Sequence, residues 1–160
     1  LDRAGRAVVR RRDEIEFSYR HSGLNDLIIT GAQLRLTPGD PSALRERLKE
    51  VMAYKKRSQP MADNSAGCAF KNPTLLTDID GVGTSGQRVS AGMLIDRAGC
   101  KGLRLGSASV SPVHGNFLAA DDGGKARDVI RLIAEVQRRV FDTFGVPLER
   151  EVVVWSRAGR

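Results

Sequence analysis

The chain has 160 residues, 41% of them hydrophobic, and a net charge of +7. That length suits one medium domain, or one domain with part of another, and the apolar content supports a packed core rather than a disordered chain. No apolar run approaches the ~20 residues of a membrane span, and no charged-then-apolar secretory signal opens the sequence. Cys68 and Cys100 lack CxxC spacing, which argues against zinc and against a disulfide framework. Reduced thiols in a cytoplasmic protein are expected. His21 and His114 are the only histidines, so no metal site is expected. The positive charge is spread over Arg10–Arg12, Lys55–Arg57, Arg138 and Arg139, with no aromatic residues interleaved to stack on bases. A small anionic substrate therefore fits better than nucleic acid.

In chain order, residues 7–12 read as a short strand, and residues 27–36 have the β-branched enrichment of another. Thr37–Asp40 is a turn. Asp40 then suits an N-cap, with Pro41 at the first helical position. Leu44, Leu48, Val51 and Met52 share one helical face up to about Tyr54. Residues 58–72 look like a loop. Residues 74–90, rich in Gly, Ser, Thr and Asp, read as a long irregular loop, either functional or a lineage insertion. A short helix is expected over Ala91–Ala98, ended by Gly99. LRLGSASVS and NFLAA read as two short strands around Val113-His114-Gly115, and Asp121–Gly124 as a turn. A long amphipathic helix follows from about Lys125 to Phe144, with Val129, Leu132, Ile133, Val136, Val140 and Phe144 on its apolar face and Gly145 as its stop. Glu151–Trp155 read as a final strand. No repeat and no βαβ alternation is visible, so the class is α+β.

Four segments carry a resemblance. They are Phe17-Ser18-Tyr19-Arg20-His21-Ser22; Ser58-Gln59-Pro60 with Ser65-Ala66-Gly67-Cys68-Ala69-Phe70-Lys71-Asn72-Pro73; the stretch from Ala91-Gly92-Met93 to Ser111-Pro112-Val113-His114-Gly115-Asn116-Phe117; and Phe144-Gly145-Val146 with Leu148-Glu149-Arg150-Glu151-Val152. In that order they resemble the UDP-N-acetylenolpyruvoylglucosamine reductase family. The short interval between Arg20 and Gln59 is similar to the subclass without an extra tyrosine-bearing loop.

The resemblance implies a flavoenzyme of peptidoglycan synthesis in which NADPH reduces FAD. The flavin then delivers hydride to the enolpyruvyl group of UDP-N-acetylglucosamine enolpyruvate, and a protein acid protonates the adjacent carbon. By the same resemblance Arg20 is the catalytic arginine, whose guanidinium suits a carboxylate gaining charge. Cys68 stands where the family has a proton donor, and a thiol of pKa ~8.5 is mostly protonated at neutral pH. Glu151 matches the catalytic glutamate, although Glu149 shares its strand face by period two. Tyr19, Gln59, Lys71 and Asn72 fall at substrate-side positions. Asn72 and Lys71 suit the UDP diphosphate, against the plainer alternative of a loop-capping Asn and a solvated Lys. Lys55 stands where a flavin-contacting arginine is expected. Ser111, His114, Gly115 and Asn116 read as substrate-domain scaffold, and Cys100 as packing.

The implied organisation is the end of an FAD-binding domain over 1–57, a substrate-binding domain over 58–147, and a strand over 148–160 returning to the flavin domain. No glycine-rich flavin-phosphate loop precedes Tyr19. The chain is therefore expected to begin inside the flavin domain's last strands, with a flavin-binding N-terminal half as its partner. The alternatives are a non-catalytic nucleotide-sugar-binding fragment and, in a third class, a basic nucleic-acid binder.

Overall fold

The computed structural model describes residues 1–155. It contains two compact units, Leu1–Leu44 and the chain from Arg45 onward.

The first unit is built from turns. The terminal amine of Leu1 donates to Ile28 O (2.7 Å), and Ile28 N–H returns a bond to Leu1 O (2.8 Å). The strands expected over 7–12 and 27–36 do not form. The first ends in a 3-10 turn, Arg12–Glu14, where the Glu14 carboxylate accepts from Arg11 N–H (2.7 Å). In the second, Ile28, Ile29, Leu34 and Leu36 are exposed. β-branched residues favour an extended backbone, but a strand also needs a neighbouring strand for its N–H and C=O groups.

Helix α1 (Pro41–Ser58) runs across the boundary between the units and begins as expected. Asp40 Oδ2 accepts from Ala43 N–H at 2.8 Å, satisfying one of the amides that a helix start leaves unpaired. Its apolar stripe, Leu44, Leu48, Val51 and Met52, is exposed.

The second unit holds a four-stranded antiparallel sheet in the order β1-β4-β3-β2, from β1 (Ser65–Cys68), β2 (Arg104–Leu105), β3 (Ala108–Val110) and β4 (Phe117–Ala120). The segment expected as one strand, LRLGSASVS, folds back at Gly106-Ser107 and supplies both β2 and β3. β1 lies within what reads as loop. Its register with β4 passes from Ser65↔Ala119 to Cys68↔Phe117, three steps against two, so it carries a bulge. Gly67 stands in that bulge at φ 90°, a conformation that a side chain would strain.

Helix α3 (Ala126–Phe144) packs on β2, β3 and β4, and helix α2 (Ala91–Arg97) packs on α3. Leu132, Ile133, Val136 and Val140 are buried, as the 3.6-residue period predicts, and left-handed Gly145 closes the helix with N–H donating to Phe141 O (2.7 Å). In the first turn of α3, buried Asp128 accepts from Ser107 N–H (3.1 Å) and Ser107 Oγ (2.9 Å). These bonds hold its carboxyl below the usual range. On the outer face Arg138 and Arg139 both bind Glu135, whose pKa is lowered to about 2 by those hydrogen bonds. Part of the basic charge is thus spent locally.

Residues 74–90 form an ordered loop. Leu75 and Val89 anchor it in the core. Leu75 N–H donates to Gln87 O (2.9 Å), Val89 N–H to Pro73 O (2.9 Å), and the Arg97 guanidinium to Gly81 O. α2 is capped by Ser90, whose Oγ accepts from Met93 N–H (3.3 Å).

The expected strand over 151–155 is absent. Pairing occurs instead just before it, as a single bridge between Phe70 and Arg150. The last five residues of the segment expected to return to the flavin domain lie outside the described residues.

Candidate functional site

Cys68, Lys71, Asn72, Glu149 and Glu151 are gathered around one short stretch. The bulge sets Cys68 opposite Phe117, where the half-buried thiol leads into Ala69–Asn72. On one edge of that stretch Ala69 N–H donates to Asn116 O (2.8 Å). On the other, Lys71 N–H donates to Glu149 O (2.9 Å) and Glu151 N–H to Ala69 O (2.8 Å). Residues 149–151 therefore lie beside 69–71 although nearly eighty positions separate them. Lys71 Nζ and the Glu149 carboxylate meet at 2.5 Å, with Lys71 the better buried of the two side chains. Glu151 is half-buried while Glu149 is exposed.

Asn72 Oδ1 accepts from Ala91 N–H (3.0 Å), the first amide of α2. That oxygen thereby satisfies one of the amides that a helix start leaves unpaired. Gln59 sits at the end of α1, where its N–H donates to Lys55 O (2.9 Å), and Lys55 is an exposed residue of the helix's last turn.

Tyr19 and Arg20 belong to the first unit. Ser18 and His21 exchange two backbone hydrogen bonds (3.0 and 3.1 Å), which puts Tyr19-Arg20 at the tip of a tight turn. Arg20 has φ 56° and is the one non-glycine residue of left-handed conformation among the described residues. Its guanidinium lies 5.4 Å from the centre of the Tyr19 ring, in cation–π range. A left-handed arginine costs roughly 1–2 kcal/mol, and strain of this kind clusters at functional sites.

Cys100 is fully buried, and burial pushes its thiol pKa up. It packs, as its helix-end context predicts. His114 is half-buried, stacks edge-on to Phe117 at 4.9 Å, and accepts at Nδ1 from Asn116 N–H (3.1 Å). Burial, chiefly, lowers its pKa from 6.5, with Lys101 adding to the effect. A depressed histidine pKa means that the unfolded chain binds the extra proton first. Stability should therefore fall as pH drops below about 6.5 and level off once folded His114 also protonates. Hydrogen exchange of the α3 amides between pH 5 and 7.5 should show this loss, reduced in His114→Asn; equal pH slopes in both proteins would exclude the assignment.

Sequence reasoning left Asn116 among the scaffold residues. It is 3% exposed and its side chain is fully engaged, and the signal that could have singled it out is a lone carboxamide between a glycine and an apolar strand.

The glycine-rich stretch 81–86 does not fit the diphosphate of a flavin dinucleotide. Its amides from Val82 to Gly86 are already used. Gly83 N–H donates to Ile79 O (3.0 Å), Gly86 N–H to Leu75 O (2.8 Å), Thr84 N–H to Gln87 Oε1 (3.0 Å) and Ser85 N–H to Asp78 Oδ1 (2.7 Å). A diphosphate needs such N–H groups unspent, and Asp78 would repel it.

Residues 59–155 match the model of the UDP-N-acetylenolpyruvoylglucosamine reductase C-terminal domain. The chain belongs to this reductase family. A UDP-N-acetylenolpyruvoylglucosamine reductase of Rhodopseudomonas palustris (strain BisB5) is 40% identical over 153 residues, 95% of this chain and 45% of the relative. One of Syntrophobacter fumaroxidans is 36% identical over 157 residues, 98% of this chain and 42% of the relative. The crystal structure of the reductase (MurB) from Thermus caldophilus superposes with a TM-score of 0.66 at 37% identity, covering 90% of this chain and 47% of that one. The chain thus spans about half the length of the curated reductases it matches, and its α+β architecture agrees with the family's C-terminal domain. No helix among the described residues is long and apolar enough to cross a membrane.

Proposed function

We propose that this chain is the substrate-side portion of an FAD-dependent, NADPH-using reductase that converts UDP-N-acetylglucosamine enolpyruvate to UDP-N-acetylmuramate in the cytoplasm. The observation that carries this is the pairing of Glu149–Glu151 with Ala69–Lys71, inside the segment matched to the reductase family. It sets a thiol, an ammonium and two carboxylates within a few residues of one another.

Residues 58–147 are read as the substrate-binding domain, with 1–57 and 148–160 as parts of the flavin-binding domain. FAD, reduced by NADPH, supplies the hydride and is held by the rest of a longer enzyme. Cys68 gives the proton from a half-buried place at the end of β1, within reach of a substrate. Arg20 takes the enolpyruvyl carboxylate. Its strained turn, stacked on Tyr19, presents the guanidinium in one orientation, which suits bidentate contact. Glu151, the better buried of the two glutamates, is the catalytic glutamate, while Glu149 is engaged by Lys71. Lys71, Asn72 and Gln59 line the approach of the nucleotide.

The second reading, a nucleotide-sugar-binding fragment without catalysis, is favoured by the engaged amides of 82–86, which leave that glycine-rich stretch unsuited to a diphosphate. A titration of the 160-residue chain with FAD, followed by flavin fluorescence, separates the readings when repeated with a flavin-binding half supplied. The expected result is no retention of FAD by the chain alone, and FAD binding with NADPH-dependent reduction of the enolpyruvyl nucleotide by the pair. Tight FAD binding by the chain alone overturns the domain assignment; a flavin-loaded pair with no turnover leaves the binding fragment as the function.

A further inference from the structure

We infer that Asn116 is a positioning residue of the reaction, fixing Ala69–Lys71 and through it the placement of Cys68 beside Glu151. This rests on the roles proposed above for those two residues.

β1 ends at Cys68 just after its bulge, so the regular ladder to β4 stops where the site begins. The backbone still has to be held beyond that point. Asn116, one residue before β4, takes over with its side chain. Its Oδ1 accepts from Phe70 N–H (2.9 Å) and its Nδ2 donates to Phe70 O (2.8 Å), while its own C=O accepts from Ala69 N–H. Donor and acceptor assignment fixes the amide orientation, because only the oxygen can face an N–H. One carboxamide thus replaces a rung of sheet at a buried position.

The opposite edge of the same stretch carries Glu149 and Glu151. Phe70 is 1% exposed and its backbone is held by Asn116 on one edge and paired with Arg150 on the other, so a shift of its peptide moves Cys68 and Glu151 relative to each other. Asn116 is itself held in place. Its N–H donates to His114 Nδ1, and α2 approaches closely at Gly92, where a Cβ would stand 3.0 Å from His114 Cε1 and 3.6 Å from Asn116 Cβ. The requirement is for a neutral carboxamide. Aspartate has the same shape but can donate to Phe70 O only when protonated, and as an anion it faces that carbonyl with like partial charge.

The test is Asn116→Asp in a full-length reductase carrying this segment, with each half-reaction measured from pH 5.5 to 8.5. Flavin reduction by NADPH should keep the parent rate. Reduction of the enolpyruvyl nucleotide should lose roughly tenfold or more in kcat at pH 8, since about 1.4 kcal/mol is a factor of ten. KM should change little, and the rate should recover toward the parent as the pH falls and the new carboxyl protonates. If Asn116→Asp does not fold, Asn116→Ser, which leaves room for a bridging water, takes its place with the same kcat-against-KM readout. A parent kcat across the range, or equal losses in both half-reactions, overturns the proposal. Cys68→Ala run alongside separates the two claims: if it retains the parent rate, the role of Cys68 is lost. Positioning by Asn116 then stands or falls on whether Asn116→Asp makes alkylation of Cys68 by iodoacetamide step with the ionisation of Asp in the 160-residue chain. No step overturns it.

Discussion

Replacing Phe70 with alanine should destabilise the second unit by about 3–5 kcal/mol. The ring is among the largest fully buried side chains and belongs to the main core cluster. Its backbone is pinned on both edges, by Asn116 and by the bridge to Arg150. Pinning of this kind hinders the collapse that would fill the void, so the cost should sit at the upper end of the large-to-small range. A domain stable by about 5–15 kcal/mol loses much of its margin that way. Urea unfolding followed by far-UV circular dichroism measures the loss. Phe141→Ala serves as the control, since Phe141 is 56% exposed on α3 and its truncation should cost less than about 1 kcal/mol. If the two variants unfolded at the same urea concentration, the central place given to Phe70 would be wrong.

The second large effect is catalytic. In a full-length reductase carrying this segment, Cys68→Ala should slow reduction of the enolpyruvyl nucleotide by roughly 10²-fold or more, the usual size of a lost general acid. Reduction of the flavin by NADPH should proceed at the parent rate, because the thiol serves only the second half-reaction. Cys68→Ser should keep much of the activity, as a hydroxyl in the same place can still pass a proton. Cys68 is the thiol to test because it lies half-buried at the end of β1, whereas Cys100 is sealed in the core with its pKa pushed up. Stopped-flow traces of flavin reduction and reoxidation separate the two steps. Reoxidation by substrate at the parent rate in Cys68→Ala would remove Cys68 from the mechanism.

The elements legible in the sequence are those whose causes are local. Asp40-Pro41 starts α1, Gly99 ends α2, and the apolar period from Val129 to Phe144 with Gly145 behind it marks α3. Caps and periodicity act within a few residues, so one stretch of sequence contains the whole cause. Strands behave differently. Residues 7–12, 27–36 and 151–155 have the composition of strands and form none among the described residues, because a strand is completed by its neighbour. Conversely, Ser65–Cys68 looks like loop and becomes β1, since β4 supplies the ladder and Gly67 supplies the bulge. Reading LRLGSASVS as one strand missed a hairpin whose turn, Gly106-Ser107, is only two residues long.

The same division holds for the candidate site. The identities of Arg20, Cys68 and Glu151 came from motifs shared with a reductase family, because a residue's chemistry is visible in its letter. Their surroundings were not visible. Asn116 reaches Phe70 across 46 positions and Lys71 reaches Glu149 across 78. No periodicity or cap spans such distances, and only closure of the chain into a core decides which distant groups meet. The sequence by itself therefore determined where the three α-helices begin, where α2 and α3 stop, the α+β class and the family; α1 runs on to Ser58, four residues past its expected end at about Tyr54. Tertiary structure alone decided that Asn72 caps α2, that Asn116 takes over where the sheet stops, and that Glu149–Glu151 lies beside Ala69–Lys71, because each depends on a hydrogen-bond partner that the chain supplies from far away.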